Sequence, residues 1–304
     1  MARAITAALL QTLGVGFRAN FQTGLDAALA ENMWSQIATP VPSETGENEY
    51  GWLGDWPGLR EWIGERIVKE LSADTYKLRN RKFESTVGVI RDHIEDDNVG
   101  LYAPRMEAMG RASGIFWDQL TFEALLKGFD LDCYDGQRFF DAEHPVENPN
   151  GPTRLVSNRQ DGAGQPWFLM DLRQPLKPLI LQQRTKPEFQ SKTDPGTSDA
   201  VFMRDQYLYG TRVRGEAGYG FWQMAFGSRA ELNEENLDAA YDAMASQRND
   251  EDRPLGVMAT HLVTGPRNRK AADEVLKRQR KANGADNTNQ NLVEVVISPW
   301  LLAA

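Results

Sequence analysis

The chain has 304 residues, of which 41% are hydrophobic, and a formal net charge of -9 from 34 basic and 43 acidic side chains. This length allows one large domain or two smaller ones with a buried core. The excess of acidic side chains disfavours binding of nucleic acid through a broad basic face. The chain has one cysteine, which excludes an internal disulfide bond. It contains no run of eighteen apolar residues, so no membrane span is predicted.

The N-terminal part is predicted to be helical at first and extended afterwards. Residues 3–13 favour a short amphipathic helix, rather than a secretory signal, that ends at Gly14 and Gly16. Residues 24–34 favour a second helix. Residues 39–51 are rich in Pro, Gly, Ser and Glu, which is typical of a loop or an extended arm.

Residues 50–91 combine tryptophans with a charged, strand-like stretch. Residues 75–91 alternate apolar and polar side chains around the polar segment 79–82, which predicts a hairpin-like ribbon. Because an isolated two-stranded ribbon is marginal in water, it must lie on its own domain or on another subunit. Aromatic residues and arginine are enriched at the centres of protein interfaces, although packing in an ordinary core explains the aromatic residues equally well. The candidate inter-subunit contacts are Trp52, Trp56, Trp62, Tyr76, Arg79, Arg81, Lys82 and Phe83.

The longest predicted element is a helix from about residue 103 to residue 127, roughly 37 Å long at the rise of an α-helix. Its apolar residues recur at steps of three and four: Tyr102, Met106, Met109, Phe116, Leu120 and Ala124. The acidic cluster at 92–97 is interpreted as favourable charge at the helix start rather than as a cation site, with Asp96, Asp97 and Asn98 as caps.

The remaining residues alternate loops, strands and helices without a strict order, which favours an α+β fold over a doubly wound sheet. Residues 130–166 are predicted to be loop-like. Strands are predicted within 167–172, 178–184, 201–214, 218–228, 255–266 and 291–302, and helices at 231–246 and 267–282.

No catalytic, cofactor-binding or metal-binding residue is predicted. His144 has Asp141 and Glu143 close in sequence, but a hydrogen-bonded loop histidine is favoured over a metal or acid–base cluster. Residues 130–136 suggest a calcium loop, yet Asp135 stands where the turn needs glycine. Cys133 lacks a catalytic signature and is expected to be an inert thiol.

Several segments together carry a resemblance to a known family. They lie at 50–62, 80–104, 128–146, 167–189, 207–228 and 253–266. In these segments the chain resembles the major head subunit of Mu-like phages, a branch of the tailed-phage major capsid proteins with the Hong Kong 97-type fold.

The resemblance implies a division of the chain into four parts. Residues 1–44 would form an N-terminal arm, and residues 45–90 an extended loop that reaches over a neighbouring subunit. Residues 91–228 would form a peripheral domain with a spine helix at about 98–127. Residues 229–304 would form an axial domain, whose last strand is free to return to another sheet.

The implied function is assembly into hexamers and pentamers of an icosahedral shell around double-stranded DNA, without sequence-specific DNA binding or a membrane. Implied partners are a scaffold protein, a maturation protease, a portal and minor or decoration capsid proteins. The implied location is the virion capsid, with assembly in the host cytoplasm. The alternatives are an encapsulin-like compartment, a monomeric hydrolase using His144, and a decoration module.

Overall fold

The computed structural model describes residues 4–50, 76–96, 98–147, 151–194, 196–249, 252–281 and 284–302. Its α-helices in these ranges are α1 (Ala7–Ala30), α2 (Trp34–Ile37), α3 (Arg91–Glu95), α4 (Ala103–Lys127), α5 (Asp199–Arg204), α6 (Glu234–Ala245) and α7 (Arg269–Leu276). The first strands are β1 (Ala38–Pro42), β2 (Glu47–Glu49), β3 (Lys77–Arg79), β4 (Arg81–Ile90), β5 (His144–Val146), β6 (Arg154–Val156) and β7 (Arg159–Gln160). They are followed by β8 (Trp167–Met170), β9 (Leu179–Lys192), β10 (Gln206–Tyr219), β11 (Ala225–Ser228), β12 (His261–Thr264) and β13 (Glu294–Ile297). Among the described helices, none is both long and apolar enough to span a membrane.

A four-stranded sheet with the order β1-β9-β10-β4 supports the two long helices. The antiparallel pair of β9 and β10 forms its centre, with β1 parallel to β9 and β4 antiparallel to β10. The apolar start of β9, Leu179–Leu181, is fully buried. Helices α1 and α4 pack on this sheet through aromatic contacts such as Phe21 with Phe189 and Phe116 with Phe83.

A five-stranded sheet with the order β13-β12-β8-β11-β7 forms the second layer. Helices α6 and α7 cover it, and Leu237 and Leu276 pack in the same buried cluster as Trp167 and Leu262. The sheet contains strands from both sides of the predicted domain boundary at residue 228, because β13 pairs with β12 and β12 pairs with β8. The division into peripheral and axial domains stays a prediction.

One continuous core joins the two sheets. It contains Leu125 from α4, Leu181 from β9, and Phe168 and Val263 from the five-stranded sheet. Phe140 stacks on Phe168 with a centroid separation of 5.3 Å. The α+β class predicted from the sequence is confirmed, because the helices and the strands of the two sheets do not alternate as in a doubly wound fold.

The N-terminal prediction of two helices separated at Gly14 and Gly16 is wrong. α1 runs without a break through both glycines. A glycine costs a helix only about 1 kcal/mol, whereas the same helix buries Phe17, Phe21 and Leu25. Burial of this apolar stripe therefore outweighs the local preference of glycine.

The long helix is confirmed at 103–127, but its predicted caps are wrong. Its N-cap residue is Tyr102, which makes no side-chain cap, and Pro104 occupies the first turn. Asp96 instead follows the separate helix α3, and a 3-10 turn (Asn98–Leu101) lies between α3 and α4. Asp97 lies outside the described residues.

Other differences are local. Residues 201–204 belong to α5 rather than to a strand, and Asp205 adopts a left-handed conformation (φ 49°) where the chain turns into β10. The loop-like region 130–166 contains the short strands β5, β6 and β7, and residues 38–42 pair in a sheet. Within the described part of the predicted basic helix at 267–282, only α7 is α-helical, and a 3-10 turn (Pro266–Asn268) precedes it.

Candidate functional site

The three predicted tryptophan contacts, Trp52, Trp56 and Trp62, lie outside the described residues. Tyr50 and Tyr76 are the described residues on either side of the range 51–75, and the Tyr76 backbone oxygen accepts a hydrogen bond of 2.8 Å from the Tyr50 amide. β2 and β3 form an antiparallel pair directly beside this point. Tyr50 and Tyr76 are therefore held next to each other.

The predicted hairpin of the 75–91 stretch does not form, because its two strands pair with other partners. β3 pairs with β2, while β4 joins β10 in the four-stranded sheet. Asn80 separates them and is buried, and its side-chain amide donates to Ser43 Oγ at 2.8 Å and to the Thr45 carbonyl at 3.0 Å. These bonds fix the direction in which the chain passes from one sheet to the other.

The aromatic residues of the ribbon, Tyr76 and Phe83, are half-buried on their own chain. The Tyr76 hydroxyl accepts a hydrogen bond from the Tyr219 amide at 3.2 Å. Burial raises the pKa of Tyr76 far above its usual range, so the hydroxyl stays neutral. The Phe83 ring lies 4.5 Å from that of Phe116. Contact of either residue with another subunit stays a prediction.

The predicted cations lie together around an open cleft of about 940 Å³, called here the basic cleft. Its walls are the start of β4, the strand β3 and the last two turns of α4. Its apolar lining includes Leu78, Leu120, Ala124 and Tyr219. Its described lining contains five cations against three acids: Lys77, Arg79, Arg81, Lys82 and Lys127, with Glu123, Asp132 and Glu216.

The cations of the basic cleft differ in their partners. Arg81 forms a bidentate pair with Glu216, with one Nη2–Oε1 distance of 2.9 Å, and its guanidinium lies 5.2 Å from the Phe83 ring. Lys77 pairs with Glu49 at 2.8 Å. In the part of the chain that the structure describes, Arg79 and Lys82 form no ion pair. These two exposed cations can therefore attract an acidic group from outside the chain.

Sequence reasoning missed the contribution of α4 to the cleft. Leu120, Glu123, Ala124 and Lys127 line it and recur at steps of three and four residues, so they lie on one helical face. Glu216, across the cleft, belongs to β10. The helical spacing was visible in the sequence, but the pairing of β4 with β10 that brings Glu216 near Arg81 was not.

His144 is hydrogen-bonded, as the sequence indicated, but it begins the strand β5 and does not lie in a loop. The fully buried His144 hydrogen-bonds through Nδ1 to Asp135 Oδ2 at 2.7 Å, and not to Asp141 or Glu143. Cys133 donates its thiol proton to Asp135 Oδ1 at 3.1 Å. Both ring nitrogens of His144 have partners within the chain, so a hydrolase based on His144 is not supported.

The pKa values of Asp135 and Cys133 depend on burial and on their hydrogen bonds within the cluster that they form with His144. Burial raises the pKa of Asp135, but the hydrogen bond and charge of His144, with further hydrogen bonds, outweigh it, so the net pKa lies below the ordinary value. Burial raises the pKa of the Cys133 thiol above its usual range. Asp135 is therefore an anion and Cys133 a neutral thiol at neutral pH.

Comparison with known proteins matches nearly the whole chain to one family model. Residues 10–301 match the model described as Mu-like prophage major head subunit gpT. The major capsid protein of Escherichia phage Mu is 40% identical over 306 residues, which cover 98% of this chain and 99% of that protein.

Two solved structures of bacteriophage JBD30 share the fold. The chain from its procapsid has a TM-score of 0.83 and 47% identity, and the match covers 97% of this chain and 100% of that one. The chain from its capsid decorated with minor capsid protein trimers has a TM-score of 0.78 and 36% identity, covering 91% and 93%.

Proposed function

Because this chain belongs to the family of Mu-like prophage major head subunits and is a major capsid protein of the tailed-phage type, we propose that its copies form hexamers and pentamers that close into an icosahedral shell. The near-complete match to head subunits carries this proposal. The chain is a structural component of the virion capsid and not an enzyme. Head-to-tail contacts between identical chains form a closed ring when the repeated rotation from one chain to the next returns to the first chain.

The contacts between copies are assigned to residues 45–90 and the basic cleft. Trp52, Trp56 and Trp62, which belong to this segment, are suited to anchoring on a neighbouring surface. Arg79 and Lys82, which lack ion-pair partners among the described residues, are suited to an acidic group of a neighbouring copy. Tyr76 and Arg81 line the cleft, and these two residues and the half-buried Phe83 are proposed to present their remaining exposed surface to that neighbour.

The shell is proposed to enclose double-stranded DNA without binding it tightly or sequence-specifically. A net charge of -9 gives the wall little average attraction for a polyanion. Assembly is proposed to occur in the host cytoplasm with a scaffold protein, a maturation protease and a portal. Minor capsid proteins are further proposed partners, because the similar JBD30 capsid is decorated with minor capsid protein trimers.

The alternatives considered from the sequence are not supported. Membership of a head-subunit family excludes a monomeric hydrolase and places the chain with phage capsids rather than with encapsulin-like compartments. A decoration module is also excluded, because the family consists of the major subunits themselves.

The decisive experiment replaces the three tryptophans Trp52, Trp56 and Trp62 with alanine in the chain produced together with its scaffold. We expect the triple variant to stay soluble but to form few shells, because it loses the proposed aromatic anchors. Sedimentation and negative-stain microscopy measure the shells, and nuclease-protected DNA in particles from infected cells tests the content.

The matched control is the triple tryptophan-to-phenylalanine variant, which keeps aromatic anchors of similar shape and should assemble. Normal shells from the alanine variant would show that these residues are not contacts between copies. Failure of the wild-type chain to form closed particles under every assembly condition would overturn the proposed function itself.

A further inference from the structure

Two sequence segments, 130–136 and 141–145, each form only a weak cation-binding pattern, but they meet in the folded chain. Cys133 Sγ, an Asp135 carboxylate oxygen and a His144 ring nitrogen lie within 4.8 Å of one another. Cys133 and His144 are buried and Asp135 is nearly so. The assembly function proposed above uses none of these side chains, so the inference that follows stands independently of it.

We propose that this cluster is a zinc site, in which Cys133 Sγ, an Asp135 carboxylate oxygen and His144 Nδ1 bind the ion and a water molecule completes the coordination. Thiolate, imidazole and carboxylate are the ligand types that zinc prefers, in a four-coordinate arrangement. The thiolate disfavours Mg²⁺ and Ca²⁺, which take oxygen ligands.

The ligands of the proposed site balance the charge of the ion. Cysteine binds zinc as the thiolate, so the Cys133 thiol gives up its proton when the ion binds. The two positive charges of Zn²⁺ are then offset by the Cys133 thiolate and the Asp135 carboxylate. His144 binds through Nδ1 while its Nε2 lies 3.1 Å from Asn158 Oδ1. The site therefore holds the ion without burying an uncompensated charge.

The surroundings of His144 fix the orientation that a zinc ligand needs. A histidine that binds a metal through one nitrogen usually donates the other N–H to an oxygen acceptor. Asn158 Oδ1 is that acceptor, and its amide orientation is set because its Nδ2 donates to the Phe139 carbonyl at 2.8 Å. The His144 ring also stacks on Trp222 with a centroid separation of 4.0 Å and an interplanar angle of 8°. Nδ1 is therefore held toward Cys133 and Asp135.

The proposed zinc site lies between the loop after α4 and residues next to the five-stranded sheet, so bonds to the ion would link these segments. Cys133 and Asp135 follow the end of α4, and His144 begins β5. Asn158 and Trp222 precede β7 and β11 of the five-stranded sheet. Zinc would join the loop after the long helix to β5, beside these residues, so binding should raise the thermal stability of the chain.

The test uses the full chain, stripped of metal with a chelator and titrated separately with Zn²⁺ and Co²⁺. We expect one ion bound per chain, release of at least about one proton per ion from the Cys133 thiol, and a higher melting temperature with Zn²⁺. Bound Co²⁺ should show thiolate-to-cobalt charge-transfer absorption, which reports on Cys133 because the chain contains only this cysteine.

The variant Cys133→Ser should lose that absorption and bind Zn²⁺ at least about tenfold more weakly. The matched control Glu143→Gln changes an exposed side chain next to His144 and should leave both readouts unchanged. The proposal is overturned if the wild-type chain binds neither ion stoichiometrically, a result that does not depend on any variant folding. It is also overturned if the absorption survives in Cys133→Ser.

Discussion

Asp171 follows β8 directly, and its buried carboxylate holds two segments together. It accepts hydrogen bonds from the Arg173 guanidinium, at 2.9 Å and 2.6 Å, and from the Met258 amide at 3.1 Å. Its side chain is fully buried. A charge in this position is stabilising only while all of these partners remain.

The substitution Asp171→Asn should therefore destabilise the chain by about 2 kcal/mol, the scale of hydrogen bonds to a charged group. Chemical denaturation of the unassembled chain measures the change in the free energy of unfolding. The matched control is Asp161→Asn, which removes an aspartate paired with an arginine two residues away, but one whose side chain is 74% exposed. The control should change stability by less than about 1 kcal/mol, and equal effects would contradict the assigned role of burial.

The same carboxylate makes stability depend on pH. Burial raises the pKa of Asp171, but the hydrogen bonds from Arg173 and the Met258 amide outweigh it, so the net pKa lies below the ordinary 3.8. The unfolded chain therefore takes up this proton at a higher pH than the folded chain does. The contribution of Asp171 is complete above the unfolded pKa and is lost as the pH falls through the folded one.

We accordingly expect the free energy of unfolding to decrease below about pH 4 and to do so less steeply in Asp171→Asn than in the wild type. Denaturation at a series of pH values measures both slopes. Asp135, whose pKa is also lowered, adds to the same decrease and remains in the variant. If the free energy of unfolding fell with pH at the same slope in both chains, Asp171 would not contribute to the pH dependence.

At the scale of elements, the crossing of α1 and α4 depends on glycines that let the two backbones touch. A Cβ placed on Gly110 would lie 1.9 Å from the Phe21 carbonyl oxygen, and one on Gly24 would lie 2.0 Å from the Glu107 carbonyl oxygen. Real Cβ atoms essentially never approach backbone so closely. The helices run in the same direction, because Phe21 meets Gly110 while Ala28 meets Gly114.

Gly110→Ala should therefore force the helices apart and destabilise the chain by about 1–3 kcal/mol. The matched control is Gly16→Ala in α1, where nothing lies within 4 Å of the added Cβ. That change should instead stabilise the helix by about 0.5–1 kcal/mol, because alanine is the better helix former. Thermal denaturation of both variants measures the difference, and effects of the same sign would contradict the proposed backbone contact.

These elements also show what the sequence could predict. α4 was predicted at its observed bounds because its apolar spacing, its proline and Gly128 all agree. α1 was not, since Gly14 and Gly16 indicate a break that packing against α4 overrides. The pairings of β3 with β2 and of β4 with β10 were not predicted, because they join residues far apart in sequence and leave no local signal.

At the scale of the whole molecule, the sequence indicated some residues of the basic cleft but not its arrangement, and their role as contacts between copies stays a prediction. Arg79, Arg81 and Lys82 do lie together, yet the helical wall that includes Lys127 comes from a distant segment. Tyr76 and Phe83 pack on their own chain because β4 lies beside α4 in the folded body. The buried Cys133–Asp135–His144 cluster similarly could be identified only from the fold, since Cys133 and Asp135 lie in the loop after α4 and His144 begins β5.

Two exposed cations of the basic cleft are the residues proposed to attract a neighbouring copy during assembly. Arg79 and Lys82 form no ion pair with the described residues of their own chain, so reversing their charge should cost the isolated subunit little. If an acidic group of a neighbouring copy lies against them, reversal places like charges together. The double variant Arg79→Glu with Lys82→Glu should then raise the concentration needed for assembly at least about tenfold, equivalent to 1.4 kcal/mol per subunit.

Light scattering during assembly with the scaffold measures that concentration, and thermal denaturation of the unassembled chain checks that folding is unchanged. The double variant Arg79→Lys with Lys82→Arg keeps both charges and should assemble almost as the wild type does. Added salt should weaken wild-type assembly more than that of the reversed variant, because the attraction it screens exists only in the wild type. Shells formed by the reversed variant at wild-type concentration would remove the basic cleft from the interface and leave the tryptophans of residues 51–75 as the contact to test.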